Sequence, residues 1–358
     1  MRPPIATGRI QCYYLENNTY RYKTTQTETE GYIMKLGFFT ANFTEKPLEE
    51  VINLIEPYGY EALEIPAYEG NGQLETADVI KGNKAAEIRK LAADHGMTLA
   101  ALSNHADSFL IMGPTGKETD FIYKGTPEEK IAHGTESLIR TAQAANALEI
   151  PVVVGYPGVE NWGRFFFFPY GQGWAEYEEQ FRDRFTPILD KFREYGVKFA
   201  IEIHPNSFVY DIHTAERALE LVDYHPALGY NLDPANILYL QIDPCVAIDR
   251  LQDRIFHVHA KDAELARHNL ALGGSLMHGD MKALDHTYRF RIPGWGEIEW
   301  KRLITELSMV GYNGPLSYEH EDVTMSRMDG VKKTAAFLKP LIIEDPYEGR
   351  QDKLFSGD

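Results

Sequence analysis

The chain is organised around the stretch Phe256-His257-Val258-His259-Ala260-Lys261-Asp262. Side chains of a β-strand alternate between its two faces, so both histidines and the lysine share one face of a strand at this position. Imidazole and ammonium groups on a buried face need polar partners. Three other apolar runs in the second half of the chain each end in a carboxylate: Glu202, Asp233 and Glu319. If these strands are neighbours, one histidine and three carboxylates form a metal site.

Short apolar runs alternate with amphipathic stretches from residue 35 onward. We predict strands at 35–39, 60–65, 97–103, 151–155, 197–203, 228–233, 254–260 and 315–319. We predict helices near 47–58, 84–95, 127–147, 174–195, 213–224, 244–250, 298–310 and 326–340. Eight uninterrupted strand–helix units predict a parallel sheet, and such a sheet closed on itself is a single-domain α/β fold, the (β/α)₈ TIM barrel. A doubly wound open sheet is the alternative, but no Gly-x-Gly-x-x-Gly pattern follows the first strand.

The predicted barrel, residues 34–343, lies between two segments of different composition. Residues 1–33 are polar and rich in Thr, Tyr and Glu, which favours a disordered N-terminal extension. They lack the basic start and apolar core of a signal peptide. Residues 344–358 are predicted to be a C-terminal tail.

Composition and charge exclude several classes of protein. The 358 residues are 44% hydrophobic and 25% charged, which is ordinary for a soluble globular protein. A net charge of −17 without a basic tract disfavours a nucleic-acid partner, because phosphates demand a basic surface. No apolar run reaches the roughly 18 residues of a membrane span. Two distant cysteines, Cys12 and Cys245, favour a reducing compartment, so we predict a cytoplasmic protein.

The four residues at the ends of strands five to eight form the predicted metal site. All strands of a barrel point the same way and neighbours lie about 4.8 Å apart, so Glu202, Asp233, His259 and Glu319 converge at one mouth. Three oxygen ligands and one imidazole suit Mn²⁺ or Mg²⁺ better than a thiolate site, and Co²⁺ and Zn²⁺ also fit. A single carboxylate of this kind equally suits a salt bridge. Three carboxylates and one imidazole together at neighbouring strand ends favour a metal ion.

Several segments together resemble the xylose isomerase-like TIM-barrel superfamily between residues 34 and about 343. These segments are Glu202-Ile203-His204-Pro205, Asn231-Leu232-Asp233, residues 257–262 and 293–298, and residues 311–322. The superfamily includes sugar phosphate isomerases and epimerases, ketose 3-epimerases, hydroxypyruvate isomerase, inosose dehydratase and proteins similar to the large subunits of C-glycoside deglycosidases. The resemblance implies that Glu202, Asp233, His259 and Glu319 bind the metal. It also implies that Glu202 and Glu319 act as an acid/base pair.

One position departs from the pattern of the ketose 3-epimerases and of the superfamily's abasic-site endonucleases. Those proteins carry a histidine three residues after the strand-six aspartate, whereas this chain has Asn236, which we place among the substrate-binding candidates. The additional histidines and the basic surface of the endonucleases are also missing, which excludes that activity.

Further polar residues near the predicted mouth are candidates for catalysis or substrate binding. His204 shares a strand face with Glu202 and is predicted to be a catalytic base or to orient a ligand. His105 lies in the long loop after strand three, where it lines the mouth or packs the loop. Lys261 is predicted to bind a substrate oxygen or to form a salt bridge. Arg291, just before a Pro-Gly-Trp-Gly turn, would bind a hydroxyl or phosphate or serve a structural role.

The long loop after strand four is rich in aromatic residues, among them Trp162 and Phe168. Such a run often packs in a core or a lid. Sugars also stack on aromatic faces, so both residues are candidate substrate contacts.

Three functions are compatible with these features. The first is a metal-dependent sugar isomerase or epimerase that removes a proton next to a metal-bound carbonyl and forms an enediolate. The second is a metal-dependent lyase that cleaves a 3-keto glycoside, including a C-glycoside, by β-elimination, with a small second subunit. The third is a non-catalytic sugar-binding barrel. All three predict a small sugar or keto-sugar as partner, and the family resemblance implies a homo-oligomer.

Overall fold

The structure is a computed structural model that describes residues 9–15, 19–25, 33–68, 70–166, 168–169, 171 and 173–344. Within the N-terminal extension, Arg9–Leu15 and Thr19–Thr25 pair as antiparallel strands. Residues 1–8, 16–18, 26–32 and 345–358 lie outside the described residues, so the predictions for them stay predictions.

Eight parallel strands close into a barrel in the order of the sequence. They are β1 Lys35–Phe39, β2 Ala62–Pro66, β3 Thr98–Ser103, β4 Val152–Gly155, β5 Lys198–Glu202, β6 Leu228–Leu232, β7 Ile255–Ala260 and β8 Pro315–Tyr318. β8 pairs with both β1 and β7, which closes the ring. The predicted (β/α)₈ TIM barrel is therefore confirmed.

Helices connect the strands and cover the barrel. They are α1 Leu48–Ile55, α2 Thr76–Lys81, α3 Lys84–Asp94, α4 His105–Phe109, α5 Pro127–Ala147, α6 Ala175–Glu194, α7 Ile212–Leu221, α8 Pro234–Leu238, α9 Pro244–Leu251, α10 Arg267–Gly273, α11 Trp300–Met309 and α12 Arg327–Leu338. Short 3₁₀ turns occur at Thr40–Phe43, Glu56–Tyr58, Lys117–Thr119, Trp162–Phe165, Gln252–Arg254 and Lys339–Leu341. In the described part of the chain, none of the helices is both long enough and apolar enough to cross a bilayer.

Within residues 34–343, four short helices and one strand pair were not predicted. α2, α4, α8 and α10 lie in the loops that follow strands, and Asp262–Leu265 pairs antiparallel with Tyr288–Arg291 in the loop after β7. These elements are at most seven residues long, too short to show a periodic pattern of their own. They shape the mouth of the barrel.

The alternation of side chains along β5 explains how the barrel presents its charged residues. Phe199 and Ile201 are fully buried in the large core between the sheet and the helices. Ala200 belongs instead to a separate cluster of small residues. Glu202 shares the face of Ala200, so its carboxylate points into the barrel at its carboxyl end.

Candidate metal and catalytic site

The structure brings the four predicted metal ligands together at the carboxyl end of the barrel. Each offers one nitrogen or oxygen atom, and these atoms all lie within 4.8 Å of one another. The Nδ1 atom of His259 is 3.4 Å from Glu202 Oε2, 3.4 Å from Glu319 Oε2 and 3.9 Å from Asp233 Oδ2. The other oxygen of Asp233 caps α8, accepting a hydrogen bond from the Ala235 N–H at 2.9 Å.

Two buried atoms in this cluster have no hydrogen-bond partner. They are His259 Nδ1 and Asp233 Oδ2. Lys261 Nζ lies 2.8 Å from Asp233 Oδ2 but without the geometry of a hydrogen bond. Unpartnered buried polar atoms are costly, and a divalent ion between them would satisfy both. The donor set of three carboxylates and one imidazole fits such an ion.

Glu64, which the sequence analysis missed, fixes the orientation of His259. This fully buried carboxylate from β2 lies 3.1 Å from His259 Nε2 and 2.9 Å from His257 Nε2, and it accepts a hydrogen bond from Ser317 Oγ at 2.7 Å. Burial raises its pKa, but the charges of His259 and His257 outweigh this effect and hold the pKa far below its usual range. Because Glu64 engages Nε2, His259 presents Nδ1 to the carboxylates.

A single signal in the sequence would have indicated Glu64. Glu64 lies in the strand Ala62–Pro66, where the four remaining residues are all apolar. A charged residue inside a buried strand requires a polar partner, and so does a histidine on a buried strand face, such as His257.

Three donors hold the carboxylate of Glu202. His105 Nε2 lies 2.9 Å from Oε2, Asn236 Nδ2 donates to Oε1 at 2.6 Å, and Asn231 Nδ2 donates to Oε2 at 3.3 Å. Burial raises the pKa of Glu202, but the charge of His259 and the hydrogen bond from His105 outweigh this effect and lower the pKa to about 2. Asn236 therefore contacts a predicted metal ligand, and His105 contacts the same residue while lining the cavity described below.

Lys261 links three carboxylates. Its Nζ atom donates to Glu319 Oε2 at 2.9 Å and to Glu321 Oε2 at 2.7 Å, in addition to the contact with Asp233. Burial lowers the pKa of Lys261, but these carboxylates raise it well above its ordinary value. The ammonium group is therefore a permanent positive charge beside the predicted ligands.

The pKa of Asp233 is shifted upward, in the opposite direction to that of Glu202. Burial is the main cause that raises its pKa, the charge of Lys261 lowers it, and the nearby charges of Glu202 and Glu319 raise it again, to about 7. Without a metal ion, this site therefore holds a proton on Asp233 in mild acid.

A cavity of about 280 Å³ opens above the cluster. The residues lining it are Phe39, Ala41, Pro66, Tyr68, Ser103, His105, Ala106, Tyr156, Glu202, His204, Lys261, Glu319 and Glu321. The ring of His204 stacks on Tyr156 at 4.9 Å, and its Nδ1 contacts the Pro205 carbonyl. Since a carbonyl only accepts, Nδ1 carries a proton and Nε2 keeps the lone pair. Burial lowers the pKa of His204, which favours this neutral form.

Four predicted substrate contacts do not line this cavity: Asn236, which is fully buried, and Arg291, Trp162 and Phe168. Arg291 Nε donates to Asp322 Oδ2 at 2.9 Å, and its NH1 pairs with Glu264, so the guanidinium is held by carboxylates. Trp162 packs against Phe165 and Tyr210, with ring centroids 5.1 and 5.6 Å away. Phe168 is 70% exposed.

Known proteins similar to this chain share the barrel. Residues 52–341 match the family model of the xylose isomerase-like TIM barrel. The uncharacterized protein YfiH of Bacillus subtilis (strain 168) is 26% identical over 325 residues, 86% of this chain and 99% of that protein. Other similar proteins are named as an isomerase, an epimerase and a dehydratase.

Two solved structures illustrate the shared fold. The probable 3-DHS dehydratase AsbF from Bacillus anthracis superposes with a TM-score of 0.61 at 18% identity, covering 86% of this chain and 99% of that one. The IOLI protein with a bound zinc atom gives a TM-score of 0.59 at 17% identity, covering 86% and 98%. At these identities the superpositions show the fold alone. Together with the match over residues 52–341, they show that the chain belongs to the xylose isomerase-like TIM-barrel family.

Proposed function

We propose that this protein is a divalent-metal-dependent sugar isomerase or epimerase that moves a proton next to a carbonyl group. The observation that carries the proposal is the pair of glutamates, Glu202 and Glu319, which both line the cavity and both lie 3.4 Å from His259 Nδ1. Two carboxylates at one cation position, facing one substrate cavity, suit proton removal and return. The isomerase name of a similar protein, the 2-oxo-tetronate isomerase of Haemophilus influenzae, supports the same class.

Glu202, Asp233, His259 and Glu319 would hold the metal ion, for which we propose Mn²⁺, with Mg²⁺, Co²⁺ or Zn²⁺ as alternatives. When bound, the ion polarises a substrate carbonyl and a neighbouring hydroxyl, which acidifies the C–H bond between them.

The two glutamates take and return the proton. Glu202 is ionised at neutral pH and is held in one orientation by His105 and Asn236, so it accepts the proton from carbon. In isomerisation Glu202 returns that same proton to the neighbouring carbon. In epimerisation Glu319, which is ionised and held by Lys261, first takes up a proton from solvent and delivers it to the opposite face of the carbon, while Glu202 releases its own proton to water. His204, with a lone pair on Nε2, relays a proton between substrate oxygens.

The lyase alternative has less support from the geometry. It depended on the aromatic loop after β4 covering an aglycone, but Trp162 and Phe168 do not line the cavity. A non-catalytic sugar-binding barrel does not require two glutamates that converge on one imidazole. We also propose that the chain forms a homo-oligomer, while a small second subunit belongs with the lyase alternative.

Proton exchange tests the proposal. The protein is freed of metal with a chelator, reloaded with Mn²⁺, and incubated in D₂O with a panel of ketoses and aldoses. We expect deuterium at the carbon next to the carbonyl by NMR, and its loss in Glu202→Gln and in Glu319→Gln. Glu264→Gln, which removes a carboxylate paired with Arg291 outside the cavity, is the matched control and should exchange normally.

Two results would contradict this function. One is the absence of exchange with every sugar tested. The other is the release of a β-substituent from 3-keto glycosides by a protein that leaves simple sugars unchanged, which would establish the lyase.

A further inference from the structure

We infer that the substrate is an uncharged polyhydroxylated sugar of single-ring size, not a sugar phosphate, and that Glu321 binds one of its hydroxyls. This inference rests on the proposed function and adds the class of substrate and a residue that selects it.

The charge of the cavity opposes an anionic substrate. Of the residues described around it, Glu202, Glu319 and Glu321 are carboxylates, and Lys261 is the one lysine or arginine. That lysine lies within 2.9 Å of three carboxylate oxygens, on Asp233, Glu319 and Glu321, so its charge is already compensated. A phosphate group carries about −1.5 to −2 charge at pH 7 and needs uncompensated cations.

The two short helices whose first turns lie beside the predicted ligands also have occupied N-termini. α4 follows β3 and is capped by Asn104, whose Oδ1 accepts from the Ser108 N–H at 3.0 Å. α8 follows β6 and is capped by Asp233, through the N–H groups of Ala235 and Asn236. An anion would have to displace these caps to reach the backbone donors.

The same wall offers partners for hydroxyl groups. Lys261 holds one oxygen of Glu321 at 2.7 Å, while the side chain, 44% exposed, lines the cavity. Ser103 Oγ also lines it, is buried, and has no hydrogen-bond partner. A hydroxyl donates to a carboxylate and both donates to and accepts from a serine. Glu202 and Glu319 are committed to the metal site, so Glu321 is the carboxylate left to bind a hydroxyl.

The size of the cavity limits the substrate. Its volume of about 280 Å³ lies just below the range of small-molecule sites, which runs from roughly 300 to 1,000 Å³. This space suits one monosaccharide and not a glycoside with a second ring.

Paired substrates test the class. The Mn²⁺-loaded protein is assayed by deuterium exchange with D-fructose, D-tagatose and D-xylulose, and with fructose 6-phosphate, tagatose 6-phosphate and xylulose 5-phosphate. We expect kcat/KM for at least one free ketose to exceed that of its phosphate at least a hundredfold. Equal or faster exchange of the phosphates would overturn the inference and leave the proposed function standing. Absence of exchange with all six sugars would overturn the proposed function and this inference with it.

Glu321→Ala tests the residue. We expect KM for the exchanging free ketose to rise about tenfold, with kcat within threefold and the Mn²⁺ dissociation constant unchanged, because a charge-assisted hydrogen bond to substrate is lost while the four ligands stay. Glu264→Ala is the control for losing one nearby carboxylate and should leave KM unchanged. An unchanged KM in Glu321→Ala, or an equal fall in kcat and in metal affinity, would show that Glu321 only supports the metal site.

Discussion

Removing the metal ion should make the stability of the folded protein depend on pH between 5 and 7.5. Burial and the neighbouring carboxylates raise the pKa of Asp233 to about 7 in the metal-free protein, from an ordinary value of 3.8. Between these two pKa values the folded protein keeps a proton that the unfolded chain has released. The stabilisation from this proton is complete below the ordinary pKa of Asp233 and is lost as the pH rises through the pKa of Asp233 in the folded protein.

The expected size follows from the proton linkage. Well below the folded pKa each pH unit changes the free energy of unfolding by about 1.36 kcal/mol, and the slope halves at that pKa, so raising the pH from 5 to 7 removes roughly 2.3 kcal/mol. For a chain of this length, that corresponds to a fall of about 3 °C in Tm. The lowered pKa values of Glu202 and Glu319 act in the opposite direction, but only as the pH falls below their ordinary value of 4.5. They therefore do not mask the effect.

A bound divalent ion should abolish this dependence. The ion keeps Asp233 ionised at both pH values and adds about 2.7 kcal/mol when present at a hundredfold excess over its dissociation constant. We expect calorimetry to give a larger fall in Tm on chelation at pH 7.5 than at pH 5. Other groups that titrate in this range are present in both samples, so the difference between loaded and chelated protein isolates the site.

Asp233→Asn is the matched control. Asn keeps an oxygen that can cap α8 but has no proton to lose, so the chelated variant should lack the extra fall in Tm between pH 5 and 6, a range in which His259 stays protonated in both the folded and the unfolded chain. Identical Tm values for loaded and chelated wild-type protein at pH 7.5 would show that the four residues do not bind a metal. Equal pH dependence in the chelated wild type and the variant would show that Asp233 does not hold the proton.

Three further changes test individual residues. Glu64→Gln should weaken Mn²⁺ binding about 10- to 100-fold in calorimetric titration, because His259 loses its charged partner; an unchanged dissociation constant would contradict this role. Phe168→Ser should leave kcat/KM for the exchanging sugar within about twofold, because the exposed ring lies outside the cavity, and a larger loss would place it at the substrate. Asp262→Ala should lower stability to urea by about 3 kcal/mol or more, because this buried carboxylate accepts from Trp300 Nε1 and from three backbone N–H groups; a loss below 1 kcal/mol would be inconsistent with those bonds.

The barrel was predictable because its strands and helices repeat a strong local pattern. Apolar runs of strand length alternate with amphipathic helical stretches, and that alternation alone indicates a parallel sheet. Gly59 and Gly196 lie between a helix and the next strand, and both have positive φ, 81° and 70°. Such positions favour glycine, so the sequence marks where these helices end.

The convergence of the four ligands was predictable for the same reason, whereas their supporting contacts were not. Residues at the ends of consecutive parallel strands must meet, so strand position alone placed Glu202 beside His259. The bond between Glu64 and His259 joins β2 to β7, which are not adjacent in the barrel, and depends on side-chain directions across its interior. Arg291 is a second example of a contact that the sequence does not reveal, because its carboxylate partner Asp322 lies 31 residues away in another loop. Sequence position does not reveal that pair.

The contacts of Lys261 and Glu64 indicate how the site tolerates its own charge. Burial and the charges of Glu202 and Glu319 together raise the pKa of Asp233, and Lys261, 2.8 Å away, offsets only part of this rise, so Asp233 holds a proton in mild acid. For His259, burial lowers the pKa, but the charges of the surrounding carboxylates outweigh burial and raise it well above its ordinary value. Glu64 engages Nε2, so the additional proton of His259 lies on Nδ1, the nitrogen that faces the predicted ligands. Protons and a divalent ion therefore compete for the same two atoms, Nδ1 of His259 and Oδ2 of Asp233. A rise in pH that destabilises the chelated protein must then strengthen metal binding by the same linkage.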